Sequence, residues 1–368
     1  MSRRKRLLLI SQYFPLAQGG AEYQTYCLAK YFQTQMDIHY LTNSDDRPQW
    51  QDGPLTIWGI PERKRLRRVL GRCYALDYFR LRDVLRRIGP DVIYVRGASA
   101  YLAIAARYAR SSACTLVWHL SSSRDVQRFR FRSLRAVPFD YVDKKMIEYG
   151  LRHAHYILGQ AKYQDDLLRR NYGRRCDRIV GNWHPAPAQP CTKGPAVKVV
   201  WVANLKPLKR PDLFVDLAER LGGIARAEFI MIGRPGPGRY QRRLESRLRQ
   251  TQGLAFLGER SIGEVNAVLA EAHVFVNTSE WEGFPNTFVQ AWLREVPVVS
   301  LQVDPDDVLQ REGIGFRSGS FDRLVQDTKN LIENADLRRQ MGRRAQAYAR
   351  KNHSLAANLP KIAEFLQG

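Results

Sequence analysis

Apolar residues in this chain gather into short runs with few polar interruptions, at 7–11, 38–41, 55–58, 92–95, 116–118 and 156–158. Such runs mark strands buried on both faces, as in a parallel sheet. Helical patterns separate most of them. The first of these starts at Ala21, with Ala21, Tyr26, Leu28, Ala29 and Phe32 on its expected inner face. Strands alternating with helices predict a doubly wound sheet. The segment 181–195 is rich in proline and glycine and has no apolar period, so it reads as a domain connection. Buried runs then resume at 197–203, 229–233, 254–257, 273–277 and 296–300, and 322–367 reads as helical and basic. The pattern predicts an α/β protein with two Rossmann-like doubly wound domains, at 1–182 and 197–350. A linker at 183–196 joins them, and a last helix at 351–368 is free to return to the first domain.

One stretch organises the second half: Ser279-Glu280-Trp281-Glu282-Gly283-Phe284-Pro285-Asn286-Thr287-Phe288-Val289-Gln290-Ala291-Trp292. It lies between two apolar runs, so the order is strand, polar elbow, helix, strand. Pro285 is expected in the first helical turn, where its missing N–H costs nothing. Glu282 and Gly283 then fall at the carboxyl end of a strand, where open parallel sheets bind ligands. Helix amino-termini there attract phosphate. A second elbow, Gly19-Gly20-Ala21-Glu22, follows the first strand, and paired glycines let backbone amides approach a ligand. A third, at 204–212, carries Lys206, Lys209 and Arg210 after the first strand of the second domain. Arg96 and His119 end two strands of the first domain. Ser261 and Glu264 have the spacing of a capping box. Asp304, Asp306 and Asp307 precede a helix, where acidic residues serve as caps more often than as metal ligands.

Charge changes the picture most. Lysine and arginine number 59 against 36 acidic residues, a net charge of +23. A field of that size draws anionic partners: nucleic acid, an anionic membrane surface or a phosphorylated substrate. Arginines mixed with apolar residues concentrate between Arg63 and Arg87 and again between Arg124 and Arg135. That mixture suits an anionic bilayer. It also suits RNA, although no nucleic-acid reading motif is present. The apolar part of the amino-terminus is too short for an export signal, and no run reaches the roughly 20 residues needed to span a bilayer. Five widely spaced cysteines form no metal pattern, and with no export signal they fit a reducing cytoplasm.

The central stretch resembles the nucleotide-sugar signature of the retaining glycosyltransferases of family 4, which have the GT-B fold, two Rossmann-like domains facing across a cleft. The resemblance implies that Glu282 contacts donor-sugar hydroxyls in a catalytic role, with His119 beside the sugar from the other domain. It places Gly283, Phe284, Asn286 and Thr287 at the donor. Gln290 stands where the family has a glutamate for the nucleotide ribose, a departure that removes a charge. Gly19 and Gly20 match the glycine loop against the diphosphate. Lys209 matches a phosphate-gripping lysine, and Asn204 replaces the family's arginine. Gly258 falls in the base-binding region. A nucleotide-diphosphate sugar is then the donor substrate, with no cofactor and no metal expected. A glycan or polyprenyl-linked glycan is the implied acceptor, in polysaccharide or glycolipid synthesis. Family members dock on membranes through the first domain, which implies a peripheral position on the inner face of the plasma membrane through the two arginine-rich stretches. Two competing readings come from the residues: a basic nucleic-acid-binding protein, from the charge, and a catalytically weak scaffold, from Gln290 and Asn204.

Overall fold

A computed structural model of the chain describes residues 3–14, 16–62, 74–127, 137–222 and 227–367, with backbone alone at 74, 75 and 137–140. Positions 63–73 and 128–136, which hold much of the two arginine-rich stretches, lie outside the described residues. The chain forms two compact units: Met1–Asn182 with Asn358–Gly368, and Trp183–Ala357.

In the first unit the elements run β1 (Arg6–Ile10), α1 (Gly20–Phe32), β2 (Asp37–Asn43), β3 (Gln49–Asp52), β4 (Leu55–Ile60), α2 (Tyr78–Ile88), β5 (Val92–Arg96), α3 (Tyr101–Arg110), β6 (Thr115–His119), α4 (Val137–His153), β7 (Tyr156–Gly159), α5 (Lys162–Tyr172) and β8 (Arg178–Ile179). The sheet order is β3-β4-β2-β1-β5-β6-β7-β8. It is parallel except for β3, which pairs antiparallel with β4. Leu7, Leu8 and Leu9 of central β1 are wholly buried, which is why their run is continuous. The inner face of α1 differs from the expected one. Gln24 and Thr25 are buried with Leu28, Ala29 and Phe32, whereas Ala21 and Tyr26 stay half-buried. Thr25 satisfies its hydroxyl on the Ala21 carbonyl, 2.9 Å away. Tyr26 instead covers the loop before the helix, packing on the rings of Tyr13 and Phe14.

The second unit runs β9 (Val197–Val202), α6 (Pro211–Leu221), β10 (Ala227–Ile232), α7 (Arg239–Gln250), β11 (Leu254–Phe256), α8 (Ile262–Glu271), β12 (Val274–Asn277), α9 (Asn286–Trp292), β13 (Val298–Ser300), α10 (Val308–Arg311), β14 (Gly315–Arg317), α11 (Phe321–Glu333) and α12 (Ala335–His353). A last helix, α13 (Leu355–Gln367), starts here, and its residues from Asn358 onward group with the first unit. All pairings in the order β11-β10-β9-β12-β13-β14 are parallel. Ser261 and Glu264 form the expected capping box on α8. The Asp304 carboxylate accepts from the Leu309 backbone N–H at 2.8 Å, a cap on the short α10. The four described cysteines, Cys27, Cys114, Cys176 and Cys191, are free.

The strand orders position the functional loops. In the second unit the chain builds outward from β9 through β10 to β11, then jumps back to place β12 on the other side of β9. In the first unit the same reversal falls between β1 and β5. Loops leaving two such neighbouring strands diverge at their carboxyl ends and open a crevice, the usual ligand position in this kind of sheet.

Candidate functional site

At the β9/β12 switch point the two loops are tied together. Past its apolar core, β12 ends in Asn277, and Thr278 and Ser279 follow it, all three buried. Trp201 of β9 donates its indole N–H to the Thr278 hydroxyl at 2.9 Å. That hydroxyl in turn faces the carbonyls of Lys209 and Arg210, at 2.8 and 2.9 Å. The Glu280 backbone N–H donates to the Leu208 carbonyl at 3.0 Å. Arg210 turns the chain with a φ of +48°, a conformation that costs a non-glycine residue energy and persists where its surroundings fix it.

The result is a paired charge. Lys209 Nζ lies 2.9 Å from Glu282 Oε2, with side chains 23% and 15% exposed. The other carboxylate oxygen, Oε1, accepts from Asn277 Nδ2 at 3.0 Å and from Ser279 Oγ at 2.6 Å. Ser279 also gives its backbone N–H to Asn277 Oδ1 at 3.1 Å, which orients that amide. Glu282 is therefore held by one cation and two neutral donors, and so is neither the solvated residue of an ordinary helix surface nor a loose ligand. Asn277 and Ser279 had no assigned role in the sequence. Their signal was the abrupt change from Val-Phe-Val to three small polar residues at the end of β12.

The neighbours of this pair divide in two. Phe284 turns inward, packing on His353 with centroids 4.8 Å apart and on Trp292 at 6.1 Å, so its ring belongs to the core. Asn286 Oδ1 lies 3.2 Å from His184 Nε2. Gln290 is buried and donates its amide N–H to Asn266 Oδ1 at 2.9 Å. Gly283 and Thr287 are half-buried. Asn204 is half-buried in the turn after β9, where its carbonyl accepts from Lys206 at 2.7 Å. Gly258 has a φ of +72°, and its carbonyl accepts from Gly233 at 2.9 Å, pinning the exit of β11 to that of β10. Pro285 is the residue before the helix rather than in its first turn. Its ψ of 122° is extended, and α9 begins at Asn286. With seven residues, α9 is also short, and Lys209 brings a positive charge to the carboxylate that precedes it.

In the first unit Gly19 caps α1, with a φ of −132°. A Cβ there would collide with the Glu22 carboxylate, so only glycine lets that side chain fold back over the first turn. Gly20 opens the helix. Across the switch point, Arg96 ends β5, almost wholly buried, with Nη2 3.1 Å from Asn182 Oδ1. His119 ends β6 opposite it. The resemblance set His119 beside the sugar. In the structure it is 0% exposed, its Nδ1 2.7 Å from the Tyr94 hydroxyl. Burial and the nearby Arg96 charge push its pKa well below the usual histidine value, so the ring is neutral. It sits under the sheet edge, where desolvated neighbours hold it.

Buried neutral histidines also set a pH dependence. Burial takes His184 down to about 3 and His273 down to about 4, the latter helped by Lys193 and Arg338. Unfolded, each takes up a proton near pH 6.5. The second unit therefore has its full stability above about pH 6.5 and loses it as pH falls towards 4, at up to about 1.4 kcal/mol per pH unit for each histidine. Melting temperature measured from pH 7 to 4.5 is expected to fall steadily, with a shallower slope in His273→Gln. A flat profile would contradict the assignment.

Two doubly wound parallel sheets, each with a crevice at its switch point and one with a Lys–Glu pair there, define the GT-B class of α/β proteins. The match to known proteins is specific. Residues 18–180 match the family described as Glycosyltransferase Family 4, and residues 196–334 match Glycosyl transferases group 1. The chain belongs to this glycosyltransferase family. Among solved structures, sucrose-phosphate synthase from Thermosynechococcus elongatus shares the fold with a TM-score of 0.78 and 15% identity, over 99% of this chain and 98% of that one. HepE from Anabaena, solved with UDP and glucose, gives 0.74 and 17% over the whole of both chains. Glycosyltransferase 1 domain-containing protein 1 of Xenopus tropicalis is 25% identical over 116 residues, 31% of this chain. That match spans about a third of the relative's length, 34%. No helix among the described residues is long and apolar enough to cross a membrane.

Proposed function

We propose that this chain is a retaining glycosyltransferase that moves a sugar from a nucleotide-diphosphate donor to a glycan or lipid-linked acceptor at the inner face of a membrane. The observation that carries the reading is the Lys209–Glu282 pair at the switch point, with Glu282 fixed by Asn277 and Ser279. A lysine ammonium has three N–H donors, so one can stay on Glu282 while others meet the donor phosphates. Glu282, already oriented, accepts from sugar hydroxyls. The acceptor oxygen attacks the anomeric carbon on the face the diphosphate leaves. The carbon–oxygen bond to the phosphate breaks, and the acceptor proton passes to a phosphate oxygen. Lys209 stabilises the charge that builds on the departing diphosphate, a preorganised electrostatic contribution. The UDP and glucose in the HepE structure support a uridine nucleotide as the first donor to try. In this reading Gly19 and Gly20 lie against the diphosphate and Gly258 near the base.

The test is a panel of nucleotide-sugars with extracted lipid-linked acceptor, read by mass spectrometry and by NMR of the new linkage. Transfer with the donor's anomeric configuration kept is expected. An inverted linkage removes the retaining mechanism, and no turnover with any donor removes the enzyme reading.

Gln290 offers a second measurement. A hydrogen bond to a charged acceptor exceeds a neutral one by about 1 kcal/mol. Gln290→Glu, beside Asn266 and with Arg294 Nη1 3.0 Å from the Gln290 carbonyl, is expected to tighten nucleotide binding about fivefold by calorimetry. Unchanged or weaker binding would mean that this position does not meet the ribose.

A further inference from the structure

On the first unit, helices α2, α3 and α4 line a groove of about 410 Å³. Its wall is apolar and aromatic: Tyr78 of α2, Ile104 of α3, and Tyr141, Val142, Met146 and Tyr149 of α4. Its size is that of a small-molecule site. It is not slack between loose helices, because Gly150 of α4 abuts α3 so closely that a Cβ would meet Leu102 Cγ at 2.6 Å. The groove opens on apolar surface. Eight large hydrophobic side chains are exposed among the described residues, and four of them lie on α4 (Tyr141 and Val142), in the first turn of α2 (Phe79) or in the turn before it (Leu76). A patch of that kind marks an interaction site.

The charges around it have one dominant sign. The two charged residues of the wall, Arg107 and Lys145, are both cations. Lys145 Nζ sits 5.5 Å over the Tyr141 ring, and the Arg82 guanidinium sits 5.3 Å over Phe79 and 5.9 Å over Tyr78. Two acidic neighbours offset part of this charge, Asp83 at 3.8 Å from Arg82 and Glu148 shared by Lys144 and Lys145 at 3.7 and 3.2 Å, which leaves these groups and Arg107 net positive. Cations stacked on aromatic rings beside an apolar trough suit an amphiphile whose head is anionic and whose tail is hydrocarbon.

We infer that this groove holds the hydrocarbon chain of an anionic lipid, with Arg107 and Lys145 at the lipid's acidic head group. A free anion would need no apolar wall, and a neutral partner would need no cationic rim. The inference deepens the acceptor reading, and it rests on that reading only in taking the bound lipid as the acceptor. Binding itself is a property of the first unit.

Dodecyl phosphate below its micelle concentration is titrated into the full chain by calorimetry, beside inorganic phosphate and dodecyl maltoside. Dodecyl phosphate is expected to bind at least about tenfold more tightly than either. Val142→Asp puts a carboxylate against the chain and is expected to weaken it about tenfold or more. Ala103→Leu fills the groove without a charge and covers the case of a misfolded aspartate variant, with melting temperature as the control. Lys145→Gln with Arg107→Gln is expected to bring dodecyl phosphate to the level of dodecyl maltoside. Dodecyl phosphate binding no better than inorganic phosphate, or binding insensitive to both groove variants, overturns the site. So does a peptide helix that occupies the groove and that dodecyl phosphate cannot displace. If dodecyl phosphate binds while no nucleotide-sugar does, the transferase reading falls and this site stands.

Discussion

Lys209→Met is expected to slow sugar transfer by about 10²–10³-fold in kcat, the scale seen when one preorganised donor to a developing anion is removed. The argument is electrostatic. Methionine keeps the apolar stem of the side chain and removes only the charge, so the turn held by Thr278 survives. The lost interaction is strongest when the diphosphate leaves, so kcat should fall further than the apparent affinity for donor. A second effect comes with it. Glu282, 15% exposed, keeps Asn277 and Ser279 but loses its counter-charge. Stability should drop by about 1–3 kcal/mol, below the range for a fully buried pair because both groups retain some solvent. Glu282→Gln in the same background should recover much of that stability and none of the rate. Steady-state kinetics and thermal unfolding on the two single variants and the double variant check both halves. A Lys209→Met enzyme with more than a tenth of native kcat would leave the leaving-group role unsupported.

Trp292→Ala is expected to cost the second unit about 3–5 kcal/mol, the range for deleting a large buried aromatic. Trp292 is fully buried at the end of α9, with ring centroids 5.6 Å from Phe288, 5.6 Å from Tyr348, 5.9 Å from His353 and 6.1 Å from Phe284. It is thus the post on which α9 and the elbow before it rest against α12. For a unit of this size the cost corresponds to a fall in melting temperature of roughly 6–20 °C. Donor affinity should weaken as well, because Phe284 sits two residues from Glu282 and loses its packing partner. Trp292→Phe should keep most of the stability. A Trp292→Ala protein that melts within about 2 °C of the native chain would mean that the cluster relaxes to fill the space.

Burial on both faces made the central strands readable. The runs at 7–11, 92–95 and 197–203 overlap β1, β5 and β9 because strands buried on both faces are mostly apolar, with polar residues such as Arg6, Arg96 and Lys198 at or near their ends. Three strands left no such mark. Gln49–Asp52 alternates half-buried and exposed residues on the antiparallel edge, and Arg178–Ile179 and Gly315–Arg317 are too short to form a run. The inner face of α1 departs from the apolar pattern for a related reason. Thr25 is polar by type, yet it satisfies itself on its own helix and so enters the core.

The sequence alone determined that there are two α/β units, that Glu282 and Lys209 each lie just beyond a strand, and that the chain is strongly basic. Those properties depend on local patterning and composition, which are written residue by residue. Tertiary structure decided that Glu282 and Lys209 meet at 2.9 Å, that Asn277 and Ser279 hold the carboxylate, and that His119 is packed beneath the sheet edge. It also brought three helices together around an apolar groove. These features depend on which strands become neighbours, and strand order is fixed by packing between segments remote in sequence, which no local pattern encodes.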